Sequence, residues 1–168
     1  MVIWLIGLSG SGKTTLAKSI VEKTKPLMPN LFLLDGDVIR DIFDNDLDYS
    51  LESRRKNANR MSKFCKYLDD QGISVVCSIL SIFEESRDWN RKNIKNYYEV
   101  FIDTKIEDLR ARDSKGLYKK YKQGKIKDVA GEDLFFPIPR SPDLVIDNSK
   151  SLDGLLSHSE YLSNKLTS

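Results

Sequence analysis

Residues 7–14 read Gly-Leu-Ser-Gly-Ser-Gly-Lys-Thr, a match to G-x-x-x-x-G-K-S/T, the phosphate-binding loop set between a buried strand and a helix. No other stretch constrains the fold as tightly, because the motif works only in that setting. The flanks supply it. Val2-Ile3-Trp4-Leu5-Ile6 is an unbroken apolar run, as expected for a strand buried on both faces of a parallel sheet. Gly7, Gly10 and Gly12 let the backbone turn tightly and bring its N–H groups close to an anion. Thr14 to Val21 then reads as a helix, with Leu16, Ile20 and Val21 on one face and its positive end at the loop. Gly10, Ser11, Gly12, Lys13, Thr14 and Thr15 are therefore the candidate nucleotide-binding residues. Lys13 is expected to reach the β- and γ-phosphates, and the Thr14 hydroxyl to bind Mg²⁺.

Apolar strand candidates alternate with helical patterns along the rest of the chain, which predicts a parallel α/β sheet. Leu31–Leu34 is the second strand and ends in Asp35-Gly36-Asp37, with a helix from Val38 to about Phe43. Asp44–Ser53 is polar and reads as a loop. A long helix from about Glu52 to Gln71 is closed by Gly72. Ile73–Ser78 is the third strand, Glu84–Lys95 a polar helix, Tyr98–Asp103 the fourth strand and Ile106–Asp113 a short helix. Ser114–Phe136 is charged, Gly-containing and weakly periodic, and is expected to be a mobile lid. Asp143–Asp147 is the fifth strand and Leu152–Leu166 the last helix. The expected fold is an α/β P-loop domain with a five-stranded parallel sheet and helices on both faces, in the nucleoside-monophosphate-kinase style. Ligands of such sheets bind beyond the carboxyl ends of the strands.

At 168 residues the chain suits a single domain, 1–168, with a real core. A net charge of +2 demands neither a nucleic-acid nor a membrane partner. Cys65 and Cys77 lack metal or redox spacing and read as reduced core thiols. The first strand begins at the N-terminus, which leaves no room for a cleaved signal, and no apolar run approaches the ~20 residues of a membrane span. A cytoplasmic protein is expected.

The chemistry-bearing residues fall at the strand ends. Asp35 and Asp37 follow the second strand, Ser78 and Ser81 the third, and Asp103 ends the fourth. Phosphoryl transfer needs positioning and charge neutralisation more than covalent chemistry. Asp37 is the candidate to take a proton from an acceptor hydroxyl or to hold Mg²⁺ through water. Asp35 is equally suited to capping the next helix. No acidic residue ends the third strand, which shifts metal duty to Thr14 and the Asp pair. Arg40, Arg54, Arg60, Arg112 and Lys115 lie on segments facing the same edge, and arginine grips phosphate with a bidentate fork. The lysine-rich run from Lys119 to Lys127 is read as a solvated face of the lid rather than a nucleic-acid surface, and His158 as a surface residue.

Assembled, these residues resemble the adenylylsulfate (APS) kinases from about Ile3 to Asp147. The matching pieces are residues 7–15, Leu-Asp-Gly-Asp-Val-Ile-Arg at 34–40, Arg54 with Asn57, Ser81, and Tyr-Glu-Val-Phe-Ile-Asp at 98–103. The most specific is Arg112-Asp113-Ser114-Lys115-Gly116-Leu117-Tyr118-Lys119-Lys120, continuing to Gly124-Lys125-Ile126-Lys127. The family transfers the γ-phosphoryl of ATP to the 3′-hydroxyl of a nucleotide, APS. The resemblance implies ATP and Mg²⁺ as cofactors, Lys13, Asp35, Asp37 and Arg112 as catalytic residues, and the ATP adenine near Asn148–Leu152. It assigns Arg40 and Arg54 to the acceptor's charged end, Asn57, Leu80 and Ser81 to its nucleoside, and Asp37 to the acceptor at its hydroxyl. Lys115 would act from the lid. Ser81 matches a serine that is phosphorylated in some members. Family members are commonly dimers, so a homodimer is implied, although no residue pattern identifies its interface.

Two departures bear on the acceptor. The family sandwiches the acceptor adenine between two aromatic side chains. Tyr49 keeps the first; at the second the family's Gly-Phe-Thr-Gly is Asp128-Val129-Ala130-Gly131, so Val129 replaces the ring. Losing one stacking face forfeits about 1–3 kcal/mol per base. The family's Phe-Ile-Ser-Pro-Tyr-Arg also becomes Ile79-Leu80-Ser81-Ile82-Phe83-Glu84. A smaller pyrimidine needs less stacking surface. The branch of the resemblance that fits is the kinase of cytidine diphosphoramidate, which serves bacterial capsule decoration. That nucleotide is the expected acceptor and APS the alternative, with Val129→Phe expected to improve use of APS.

Overall fold

Even and odd residues of the first strand point to opposite sides of the sheet, and all five are fully buried, so each side needs its own cover. The structure is a computed structural model and describes residues 1–113, 115–149 and 151–168. Its elements run β1 (Val2–Ile6), α1 (Lys13–Thr24), β2 (Phe32–Asp35), α2 (Gly36–Ile42), α3 (Leu51–Asp70), β3 (Val75–Ile79), α4 (Glu84–Asn93), β4 (Tyr97–Asp103), α5 (Ile106–Arg112), α6 (Leu117–Lys122), β5 (Leu144–Asp147) and α7 (Leu152–Thr167). The strands pair in parallel in the order β2-β3-β1-β4-β5. Val2, Trp4 and Ile6 pack with Ile39 of α2 and Met61, Cys65 and Leu68 of α3. Ile3 and Leu5 pack with Leu16 and Ile20 of α1 and Leu155 and Leu162 of α7. The expected α/β fold, with helices on both faces of five parallel strands, is the one found.

β1 is therefore the central strand, and the glycine loop that follows it opens over the carboxyl edge of the sheet. Cys65 and Cys77 are free, buried thiols, and Trp4 is in the core. His158 is half-buried on α7. Among the described residues no helix is long and apolar enough to cross a membrane.

The stretch expected as a lid is more ordered than its weak periodicity suggests. α6 starts after Gly116 at φ 65°. Its first amides are satisfied from outside: the Asp113 carboxylate accepts from the N–H of Tyr118 (3.1 Å) and of Lys119 (2.9 Å). Tyr118 is its one fully buried residue, with Leu117 and Tyr121 partly buried beside it, and a six-residue helix is too short to write a clear helical period. Ser114, the first residue of that stretch, and Lys150, within the segment expected near the adenine, lie outside the described residues.

Val129 has a different place from the one expected. Its side chain is 2% exposed and packs with Leu109 of α5 and Tyr118 of α6. It braces two helices and offers no open face to an acceptor base. Val129→Phe therefore adds a ring to a filled cluster, at a cost of about 1–3 kcal/mol. For a chain of this size the melting temperature should drop by roughly 2–10 °C in a calorimetric or dye-monitored scan. An unchanged melting point together with improved use of APS would return Val129 to the acceptor site.

Candidate active site

The loop after β1 is shaped by backbone conformations that side chains disfavour. Gly10 and Gly12 sit at φ 81° and 92°, and a Cβ on Gly12 would drive into the Leu155 side chain and come within 3.1 Å of Asn148 Nδ2. Gly12 opens α1 with no side-chain cap, and the first turn carries no acidic residue. The helix thus begins with amides and a positive dipole end open to an anion. Lys13 bends back over this cradle, its Nζ donating to the carbonyls of Gly7 (2.8 Å) and Leu8 (2.7 Å). Burial, with the charge of Lys115 as the next cause, lowers its pKa to about 8, against the pull of Asp35 and Asp37. Ser11 is buried, and its carbonyl accepts from Asn148 Nδ2 at 2.9 Å. Arg112 Nη2 donates to the Asn148 carbonyl at 2.7 Å. The turn after β5 and the end of α5 are thereby tied to the back of the loop, while Thr15 points to solvent on α1.

Asp35 does two things at once. It ends β2 opposite Ser78 of β3, which is itself opposite Leu5 of β1. One carboxylate oxygen accepts from the Asp37 N–H (2.9 Å) and caps α2; the other accepts from the Thr14 hydroxyl (2.7 Å). β3 has no terminal acid, and the neighbouring strand supplies one at the same level of the sheet. Asp37, in the first turn of α2, keeps an exposed carboxylate that accepts from Lys115 Nζ at 2.6 Å. That bond is the main reason the Lys115 pKa is raised. It joins the lid segment to the acid at the sheet edge across 78 positions of sequence.

The remaining candidates gather around the loop between α2 and α3. Arg40 is buried and donates from Nη1 to the carbonyls of Leu47 and Asp48, both at 2.9 Å. Arg54 donates from Nε to the Tyr49 carbonyl (2.8 Å) and from Nη2 to the Asp128 carbonyl (3.0 Å). The two guanidinium carbons stand 4.9 and 5.6 Å from the centre of the Tyr49 ring, which is 59% exposed. Burial, then the charge of Arg40, holds the Arg54 pKa below the usual guanidinium range. Two cations this close mark a place for a multiply charged anion. Asn57 on α3 is 4% exposed, and its Oδ1 has no protein partner. Leu80 is half-buried against Ala58, Ile82 and Ala130. Ser81 is 5% exposed with φ 56°. Arg60 is drawn away from the group by Asp46 (2.7 Å).

Three contacts escape a reading of the sequence. Asn148 reaches the loop backbone, the Tyr118 hydroxyl donates to the Ser9 carbonyl at 2.8 Å, and the Trp4 indole N–H donates to Ser81 Oγ at 3.2 Å. Asn148 alone carried a signal: it is a polar residue at a strand's carboxyl end, the rule that found Asp35.

Comparison with known proteins agrees with this geometry. The adenylylsulphate kinase family model matches residues 1–147. The cytidine diphosphoramidate kinase of Campylobacter jejuni is 45% identical over 148 residues, 88% of this chain and 86% of that protein. The adenylyl-sulfate kinase of Buchnera aphidicola is 40% identical over 154 residues, 90% of this chain and 73% of that protein. Among solved structures, the Mycobacterium tuberculosis APS kinase CysC, in complex with AMPPNP and APS, superposes with a TM-score of 0.88 at 32% identity, covering 99% of this chain and 97% of that one. With the loop, the acid pair and the paired arginines all in place, the chain belongs to the adenylylsulphate kinase family.

Proposed function

We propose that this chain is an ATP-dependent kinase acting on the ribose 3′-hydroxyl of cytidine diphosphoramidate. The observation that carries the choice of acceptor is the one-sided base site. Tyr49 presents an exposed ring backed by Arg40 and Arg54, while Val129 is withdrawn into the packing of α5 and α6. One stacking surface suits a pyrimidine better than a purine. The 45% identity to the Campylobacter jejuni enzyme supports the same reading. On it, the protein works in the cytoplasm on small nucleotides as a homodimer.

The chain's residues divide the work. The amides from Gly10 to Thr15 and the Lys13 ammonium hold the ATP phosphates. Asn148 and Arg112 brace the loop from the side assigned to the adenine. Thr14 and Asp35 present a hydroxyl and a carboxylate 2.7 Å apart, hard oxygen donors of the kind Mg²⁺ takes alongside phosphates and water. No group of three His, Cys, Asp or Glu side chains among the described residues forms a cage without phosphates. Mg²⁺ bound there would neutralise charge on the transferring phosphoryl group. Arg40, Arg54 and Lys115 receive the charged diphosphoramidate end, with Asn57 and Leu80 along the nucleoside. Asp37 orients the 3′-hydroxyl and accepts its proton. Lys115 holds that carboxylate until the acceptor's own charge draws the ammonium away.

ADP release with Mg·ATP, compared for cytidine diphosphoramidate and APS by kcat/KM, tests the assignment; a clear preference for APS overturns it. Lys13→Ala should cut turnover about 100-fold or more with circular dichroism unchanged, and retained turnover would remove the kinase reading. The free enzyme loses the Lys13 proton near pH 8, and the phosphates require the ammonium. Thus kcat/KM for ATP should fall as pH rises through about 8. Lys115→Met removes a charge that lowers the Lys13 pKa, so the break should move to higher pH.

A further inference from the structure

Ser81 stands at the carboxyl end of β3 in the left-handed region, at φ 56°, where a residue with a Cβ is held only by its surroundings. Two side chains hold it. Arg87 of α4, 5% exposed, donates from Nη1 to the Ser81 carbonyl. Trp4 of β1, fully buried, donates from Nε1 to Ser81 Oγ at 3.2 Å. An indole nitrogen can only donate. The Ser81 oxygen is therefore an acceptor on the core side, and its own proton has to point elsewhere. The contact spans 77 positions and links the central strand to the turn that carries Leu80 and Ser81.

We infer that Trp4 is a positioning residue for the acceptor nucleotide: its indole N–H fixes the Ser81 hydroxyl as a hydrogen-bond donor and locks the 79–83 turn in its strained shape. Trp4 touches no substrate. It acts through Ser81, and the donor so fixed suits an oxygen acceptor on the nucleotide, a base carbonyl or a ribose or phosphoryl oxygen. The same bond gives the Ser81 oxygen a fixed partner in the core, an arrangement for orientation rather than for attack on a phosphoryl group. The inference rests on the acceptor reading above, but it holds for either base.

The test uses Trp4→Phe, which deletes the N–H and keeps an aromatic ring, and Ser81→Gly, which deletes the hydroxyl and suits φ 56°. Kinetics are run with whichever of cytidine diphosphoramidate and APS the wild type phosphorylates, so a wrong base leaves the test standing. Losing one buried hydrogen bond should raise the acceptor KM about three- to tenfold in each single variant. The KM for ATP should stay within about twofold, and the double variant should be no worse than the single ones, since both break the same bond. Equal losses toward ATP and acceptor, or effects that add, would overturn the proposal and leave Trp4 as packing alone. A thermal double-mutant cycle on the unliganded protein reads the Trp4–Ser81 coupling without turnover; zero coupling also overturns it. In a Trp89→Phe background, acceptor should shift the remaining Trp4 emission while Mg·ATP alone does not. A response to neither or to both equally counts against it. If the wild type turns over neither acceptor while the thermal cycle shows coupling, the functional reading fails and the contact stands.

Discussion

A helix that starts without a side-chain cap leaves its first amides without intrahelical partners, and the site is organised around those amides at the head of α1. The loop is narrow enough that only glycine fits at Gly12, because Leu155 and Asn148 press on it from the turn and helix that follow β5. Lys13 lies across the loop on the carbonyls of Gly7 and Leu8. Burial and a second lysine lower its pKa, so an anion in the cradle would favour its charged form. Negative phosphates would offer acceptors to the amides and a counter-charge to the ammonium.

Asp35 carries this arrangement from the nucleotide side to the acceptor side. One residue receives the Thr14 hydroxyl and the Asp37 amide on its two carboxylate oxygens, so the start of α1 and the start of α2 are fixed to one group. Asp37 is in turn fixed to the lid by Lys115, and Arg54 reaches the lid at the Asp128 carbonyl. Arg54 and the proposed base thus engage the segment between α5 and β5, which brings residues distant in sequence to one edge of the sheet.

What the sequence made legible follows from local physics. Val2–Ile6, Gly7–Thr14 and Asp35-Gly36-Asp37 each announce themselves through patterns set by their own neighbours: an apolar run, a glycine spacing, acids after a strand. The sheet, its helices and the acid pair could be placed from these alone, with boundaries shifted by only a few residues. α6 was harder, because its N-terminus is capped by Asp113 from outside the helix and its six residues bury only one tyrosine fully. Val129 misleads for a related reason. Position and residue type suggest a missing ring, but whether a valine faces a ligand or Leu109 and Tyr118 depends on how α5 and α6 close on each other, and no short window records that.

The Trp4–Ser81 contact lies further still from anything local. In the sequence Trp4 is one more apolar residue of a buried strand, and its four neighbours in β1 behave as they look. Only its nitrogen differs, and a buried N–H must find an acceptor. The acceptor it finds is the one residue in the turn after β3 with positive φ. The demand of a core side chain and the conformation of a site residue are thereby met by one bond. Such an arrangement explains why a residue that touches no ligand can set the geometry at which ligands are read. On that proposal, part of the acceptor site's geometry is set in the core, by a contact made before any ligand arrives.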